Sequence, residues 1–252
     1  MSDTSLRVRS VSEVVDAAFA LYRRHSGQYI IVAALAQVPI LILQIVLQGS
    51  AAPGSLPSLS SFLPIMVVSM ATQSVMTGVV TLVGSQVYLG GEPDAAAAVA
   101  KVLPRLVRLI VASGMRGVLY VAGVLCFLVG ALYVAARYFA LEAAIVLEDQ
   151  TASAAFTRSG VLSAGNKWHV LKTLLLVFII YFVMLGAAAV AAAFAGNQIV
   201  SLIVSSTVAI LAGPVVALVT MVLYYDARIR NEGFDLEHMA AALGSPAPVA
   251  GN

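Results

Sequence analysis

The stretch LVRLIVASGMRGVLYVAGVLCFLVGALYVAARYFALEAAIVL, residues 106–147, decides how this chain is read. It stays apolar over about 40 residues, twice what one membrane-spanning helix needs. It is either one long bent helix or two helices that turn back near Gly130.

The placement of charge separates these alternatives. Apolar runs also occupy Tyr29 to Leu47, Phe62 to Leu89, Val170 to Phe194 and Ile199 to Tyr225. Arg7, Arg9, Arg23 and Arg24 precede the first of these runs. Lys101, Arg105 and Arg108 lie between the second and the long stretch. Arg158, Lys167 and Lys172 come after it, and Arg228 and Arg230 follow the last run. The loops 48–61 and 195–198 hold no charged residue. Lysine and arginine concentrate in cytoplasmic loops. A turn near Gly130 puts all these basic residues on one side, whereas a single crossing sends the last five to the other. The expected architecture is therefore an all-α integral membrane protein with six transmembrane helices in three hairpins, both termini cytoplasmic.

Composition agrees with that class. Of 252 residues, 61% are hydrophobic and 10% charged, and the mean hydropathy is +0.98. A soluble domain carries about 25% charged residues to cover its surface. The formal net charge is only +2. Cys126 is the lone cysteine and reads as a small buried hydrophobe, since it has no partner for a disulfide or a CxxC site. The first apolar run starts too late and is too long for a cleavable signal sequence, so it is expected to be retained.

An amphipathic segment precedes each pair of spans. Near 10–25, Val11, Val14, Val15, Ala18, Phe19 and Tyr22 recur at helical spacing. Ser10 with Glu13 fits a capping box, and Gly27 is the expected C-terminal cap. Such a helix is expected to lie in the cytoplasmic interface, with Arg23 and Arg24 at the membrane surface near anionic headgroups. A second segment, near 93–105, starts at Pro93 and Asp94 and bends at Pro104. A third, near 151–165, starts at Thr151 and ends at Gly165. The chain thus divides into a six-helix transmembrane domain, 1–243, and a small-residue tail, 244–252, expected to be disordered.

Three residues stand out because charge inside an apolar span is costly and is a functional hypothesis by default. Arg116, Arg137 and Glu142 fall at roughly 12, 16 and 9 Å from the charged ends of the two expected helices, at about 1.5 Å per residue. They are expected to form a buried charge cluster, either an anion or headgroup site or an internal ion pair. Ser69, Gln73, Thr77, Thr81 and Ser85 form a polar stripe at four-residue spacing. That stripe is either the wall of a hydrophilic path or a seam where helices pack closely. Gly213-Pro214 marks a kink in the last span.

His25, His169 and His238 lack neighbouring ligands, so no metal site and no cofactor are expected. No nucleophile elbow, phosphate loop or dinucleotide fingerprint occurs. The basic residues flank spans and do not form a soluble patch, which argues against nucleic-acid binding.

Three stretches carry a resemblance. SVSEVVDAAFALYRRH from Ser10, AFTRSGVL from Ala155 and YYDARIRNEGFDLE from Tyr224 resemble the bacterial multi-pass family named for the glycerophosphoryl diester phosphodiesterase membrane domain. The likeness lies in these motifs and, over the rest of the chain, in hydropathy alone. Arg158, Ser159 and Trp168 match an Arg-Ser pair with a later tryptophan in that family. Its frequent Pro-Gly tip is Val129-Gly130 here. In the enzymes that lend the family its name, hydrolysis belongs to a separate soluble domain with acidic metal ligands, and this chain shows no such pattern. The resemblance implies a non-enzymatic anchor or scaffold in the bacterial inner membrane, with the lipid bilayer and an unidentified membrane protein as partners. The other reading is a small-molecule or lipid transporter. A polar cavity lined by the buried charges would favour the transporter, and a closed bundle the scaffold.

Overall fold

The computed structural model describes residues 7–49, 59–125, 129–195 and 198–236. Cys126, His238, the tail 244–252 and most of the two charge-free loops lie outside the described residues. The described residues form helices joined by short turns, with no strand among them. Five helices are long and apolar enough to cross a membrane: Ser26–Leu47, Phe62–Tyr88, Val129–Leu147, Lys167–Ala191 and Ile199–Glu232. Leu106–Leu125, which carries Arg108 and Arg116, is not among those five.

A short helix leads each of three groups of helices, and in the second group the last member is split in two. α1 (Val11–Arg24) leads to α2 (Ser26–Gly49) and α3 (Leu59–Tyr88). α4 (Ala95–Val102) passes through a 3-10 turn at Pro104 into α5 (Leu106–Leu125), and then α6 (Val129–Arg137) and α7 (Leu141–Leu147). α8 (Ala152–Leu162) leads to α9 (Lys167–Ala195) and α10 (Gln198–Glu232).

Local chemistry sets the helix starts. Ser10 Oγ accepts from the Glu13 amide while the Glu13 carboxylate accepts from the Ser10 amide, completing the capping box. Asp94 accepts from the Ala97 amide and Thr151 from the Ala154 amide in the same manner. The end of α1 departs from expectation. His25 is its C-terminal cap, and α2 begins at once at Ser26 with Gly27 inside it. The apolar stripe of α1 is also covered by protein. Val14 and Ala18 are fully buried, and the helix packs on α9 and α10. The platform exists because α10, at about 1.5 Å per residue, is longer than the ~30 Å that one membrane span needs. Asp226 and Arg230 of that extension hold the Arg9 backbone, accepting from its amide at 2.7 Å and donating to its carbonyl at 2.5 Å.

Residues 106–147 double back. A Cβ built on Gly123 would lie 2.5 Å from the Ala131 backbone nitrogen and 2.6 Å from the Gly130 carbonyl carbon, so only glycine lets α5 and α6 approach this closely. At the other end, Asp149 accepts from Arg105 at 2.8 Å and from Arg108 at 3.0 Å. The Arg105 hydrogen bond holds the Asp149 carboxylate below its ordinary range. Near this end Arg158 bridges Glu148 and Glu232, and Tyr224 donates to Glu148 at 2.6 Å.

The returning helix of this pair is broken between α6 and α7, where neither proline nor glycine announces a break. Ser159 on α8, 0% exposed, supplies the missing bonds. Its hydroxyl donates to the Arg137 carbonyl at 3.0 Å and accepts from the Ala140 amide at 3.1 Å. Backbone groups freed by the break are thus satisfied from another helix.

Candidate ligand cavity

α2, α3, α5, α9 and α10 leave a cavity of about 610 Å³ between them, closed on one side by α6 and α7. Its polar lining includes Gln37 on α2, Ser69, Gln73 and Thr77 on α3, Arg116 on α5 and Glu142 on α7. Arg116 and Glu142 face each other in a two-point ion pair. One guanidinium nitrogen donates to Oε2 at 2.9 Å and the other donates to Oε1. Their side chains retain 23% and 11% exposure, so the pair is largely withdrawn from solvent yet borders the cavity.

The expected three-membered cluster is therefore a pair. Arg137 does not reach Glu142. The break after Arg137 turns α7 away from α6, so Glu142 faces α5 while Arg137 faces α8 and α9. There its guanidinium donates to the hydroxyls of Tyr138 at 3.2 Å and Tyr133 at 3.3 Å. Five residues of unbroken helix would instead have left Arg137 and Glu142 at a fixed offset on one axis.

The polar stripe on α3 also divides. Ser69, Gln73 and Thr77 open on the cavity. Thr81 and Ser85 are buried between helices, and Ser85 shares a 2.6 Å hydrogen bond with the Tyr225 hydroxyl of α10. One stripe thus serves as cavity wall along half its length and packing seam along the other half. Gly213 lines the cavity too, and α10 stays helical through Pro214. Arg23 and Arg24 are exposed at the end of α1, away from this site.

A second cavity of about 750 Å³ adjoins the first, and Gln37, Thr72, Gln73, Tyr120, Gly213 and Val216 line both. Its remaining wall is apolar, with Leu132, Leu171, Val177, Phe178 and Val219 among its lining. The two share part of their lining, the first carrying the charged and most of the polar side chains and the second a mainly apolar wall.

Sequence reading missed Gln37, Tyr120 and Thr220 as cavity residues. Gln37 carried a usable signal, an amide inside an apolar span, by the same reasoning that singled out Arg116. Tyrosine and threonine are ordinary in apolar spans and carried none. No family model, curated protein or solved structure matches the chain.

Proposed function

We propose that this chain is a non-enzymatic, six-span protein of the bacterial inner membrane, termini cytoplasmic, that binds and carries an amphipathic small molecule or lipid. The sixth span in this reading is α5. Its doubling back onto α6, with Arg105 and Arg108 beside Asp149, supports a membrane hairpin. The short helices α1, α4 and α8 are then interfacial elements at the cytoplasmic side, where the basic residues gather.

The observation that carries the function is the two-part space. Ligand sites typically have ~300–1,000 Å³ and a mostly apolar wall with a few placed polar groups. Here the polar groups cluster at one end and the apolar wall at the other, as a headed, tailed molecule requires. Arg116 already has Glu142 as counter-ion, so the polar half offers no net charge from this pair. It suits a zwitterionic or uncharged hydrogen-bonding head better than a bare anion. The anchor or scaffold role implied by the family resemblance is the alternative. It calls for a closed bundle, and two adjoining cavities of this size weigh against it.

The test uses Thr77→Cys in a Cys126→Ser background, with the full chain reconstituted in nanodiscs. A small charged thiol reagent should modify the new cysteine. Lysophosphatidylcholine, with head and tail, should slow that reaction, while glycerophosphocholine, the head alone, should not. A cysteine that never reacts would point to a closed bundle and the scaffold. Reaction that no tailed amphiphile slows would remove the carrier reading.

A further inference from the structure

Most arginines of the chain are answered by carboxylates, and Arg137 is not. Among the described residues, no carboxylate stands within ion-pair distance of Arg137 or Lys167. The two cations nevertheless converge. The Lys167 ammonium lies over the Tyr133 ring, 4.9 Å from its centre. The Arg137 guanidinium lies 6.0 Å from the same centre and donates to the same phenol hydroxyl at 3.3 Å. Tyr138 adds its hydroxyl to Arg137 at 3.2 Å. Like charges gathered on one ring repel, and neutral phenols do not cancel them.

The surroundings raise the positive potential further. Lys167 is the first residue of α9, a 29-residue helix whose N-terminal end carries partial positive charge. On α8, a Cβ built on Gly160 would lie 3.3 Å from the Arg137 guanidinium, so glycine lets that group lie close against the helix. The site opens outward. Tyr133 is 47% exposed and Trp168, beside Lys167 in sequence, 75% exposed. Exposed tryptophan and tyrosine beside basic residues at the start of an apolar helix are the marks of a membrane–water interface.

We propose that Arg137, Lys167, Tyr133 and Tyr138 form a binding site for a phosphate group, supplied by an anionic lipid headgroup of the adjoining leaflet. The phosphate is the missing counter-charge: guanidinium and ammonium donate to its oxygens, and the exposed aromatics bracket the glycerol region. This site is separate from the cavity, where Arg116 is already neutralised, and it stands whether or not the cavity carries an amphiphile.

Thermal unfolding of the full chain in mild detergent tests the assignment, with phosphatidylglycerol, phosphatidylcholine or inorganic phosphate added. Phosphatidylglycerol should raise the transition of the unaltered protein, and phosphatidylcholine should not. In Arg137→Gln/Lys167→Gln that rise should vanish, while the transition without lipid stays level or climbs as repulsion is relieved. Lys167→Gln alone, a milder change, should weaken the affinity for phosphatidylglycerol about fivefold, so that about five times more lipid gives the same rise, from ~1 kcal/mol per basic residue near an anionic surface. Arg137→Lys/Lys167→Arg should keep it. A response to inorganic phosphate that disappears in the same variants also upholds the site and assigns the phosphate to a soluble source. A double variant that still responds to phosphatidylglycerol overturns the proposal. So does one that loses the same stability in all three additives, because the cations would then serve only to pack against the tyrosines.

Discussion

Replacing Glu142 by glutamine should strand Arg116 in a space from which most water is withdrawn. Breaking a buried pair by removing one partner costs about 3–5 kcal/mol. Arg116 keeps 23% side-chain exposure along the cavity, so the low end, about 3 kcal/mol, is expected. For a chain of this size that is a fall in melting temperature of roughly 6–12 °C. Arg116→Gln should fall by a similar amount. The double variant Arg116→Gln/Glu142→Gln removes both charges and leaves two neutral amides. It should recover more than half of the summed losses, since an absent pair is far less damaging than a broken one. The same cycle with Arg137→Gln in place of Arg116→Gln should show no coupling, because the Arg137 guanidinium lies against Gly160 of α8 and bonds Tyr133 and Tyr138 instead. The assay is thermal unfolding of the purified full chain in one detergent, followed by intrinsic fluorescence. Strictly additive losses for the Arg116 and Glu142 changes would refute the pairing. Coupling to Arg137 instead would refute the division of the cluster.

The remaining expectations concern topology, packing and pH. In a Cys126→Ser background, Phe194→Cys should react with an impermeant thiol reagent on intact cells and Ser153→Cys only after lysis; external labelling at Ser153 would leave five spans. Gly123→Ala should lower the melting temperature sharply because its methyl meets the backbone of α6, whereas Gly117→Ala, with nothing within 4 Å, should stabilise α5 by roughly 0.5–1 kcal/mol. Hydrogen bonds from the Ser10 amide and then Arg7 hold Glu13 down at about 2. A depressed carboxylate lends stability that is fully present above its ordinary range and lost as pH falls through its folded value. The stability difference between the unaltered chain and Glu13→Gln should therefore stay constant from neutrality to about pH 4.5 and close toward pH 2. A difference that closes above pH 5 would show that the capping box does not hold the charge.

Features that depend on composition, or on neighbours within a turn or two, were legible in the sequence. A charged share of 10% sets the class, because surface without charge must meet something other than water. Ser10, Asp94 and Thr151 mark helix starts, because a cap bonds an amide three residues away. The tertiary structure alone decided which of two arginines Glu142 answers. Both lay at suitable depth, and the choice turned on a helix break that no proline or glycine signalled. Ser159 sustains that break from 19 residues beyond Ala140, a distance at which periodicity carries no information. The cavity is likewise absent from any local pattern. It is the space left where side chains of several helices fail to meet, and four-residue spacing on α3 describes Thr77 and Thr81 alike although one lines that space and the other is sealed in a seam.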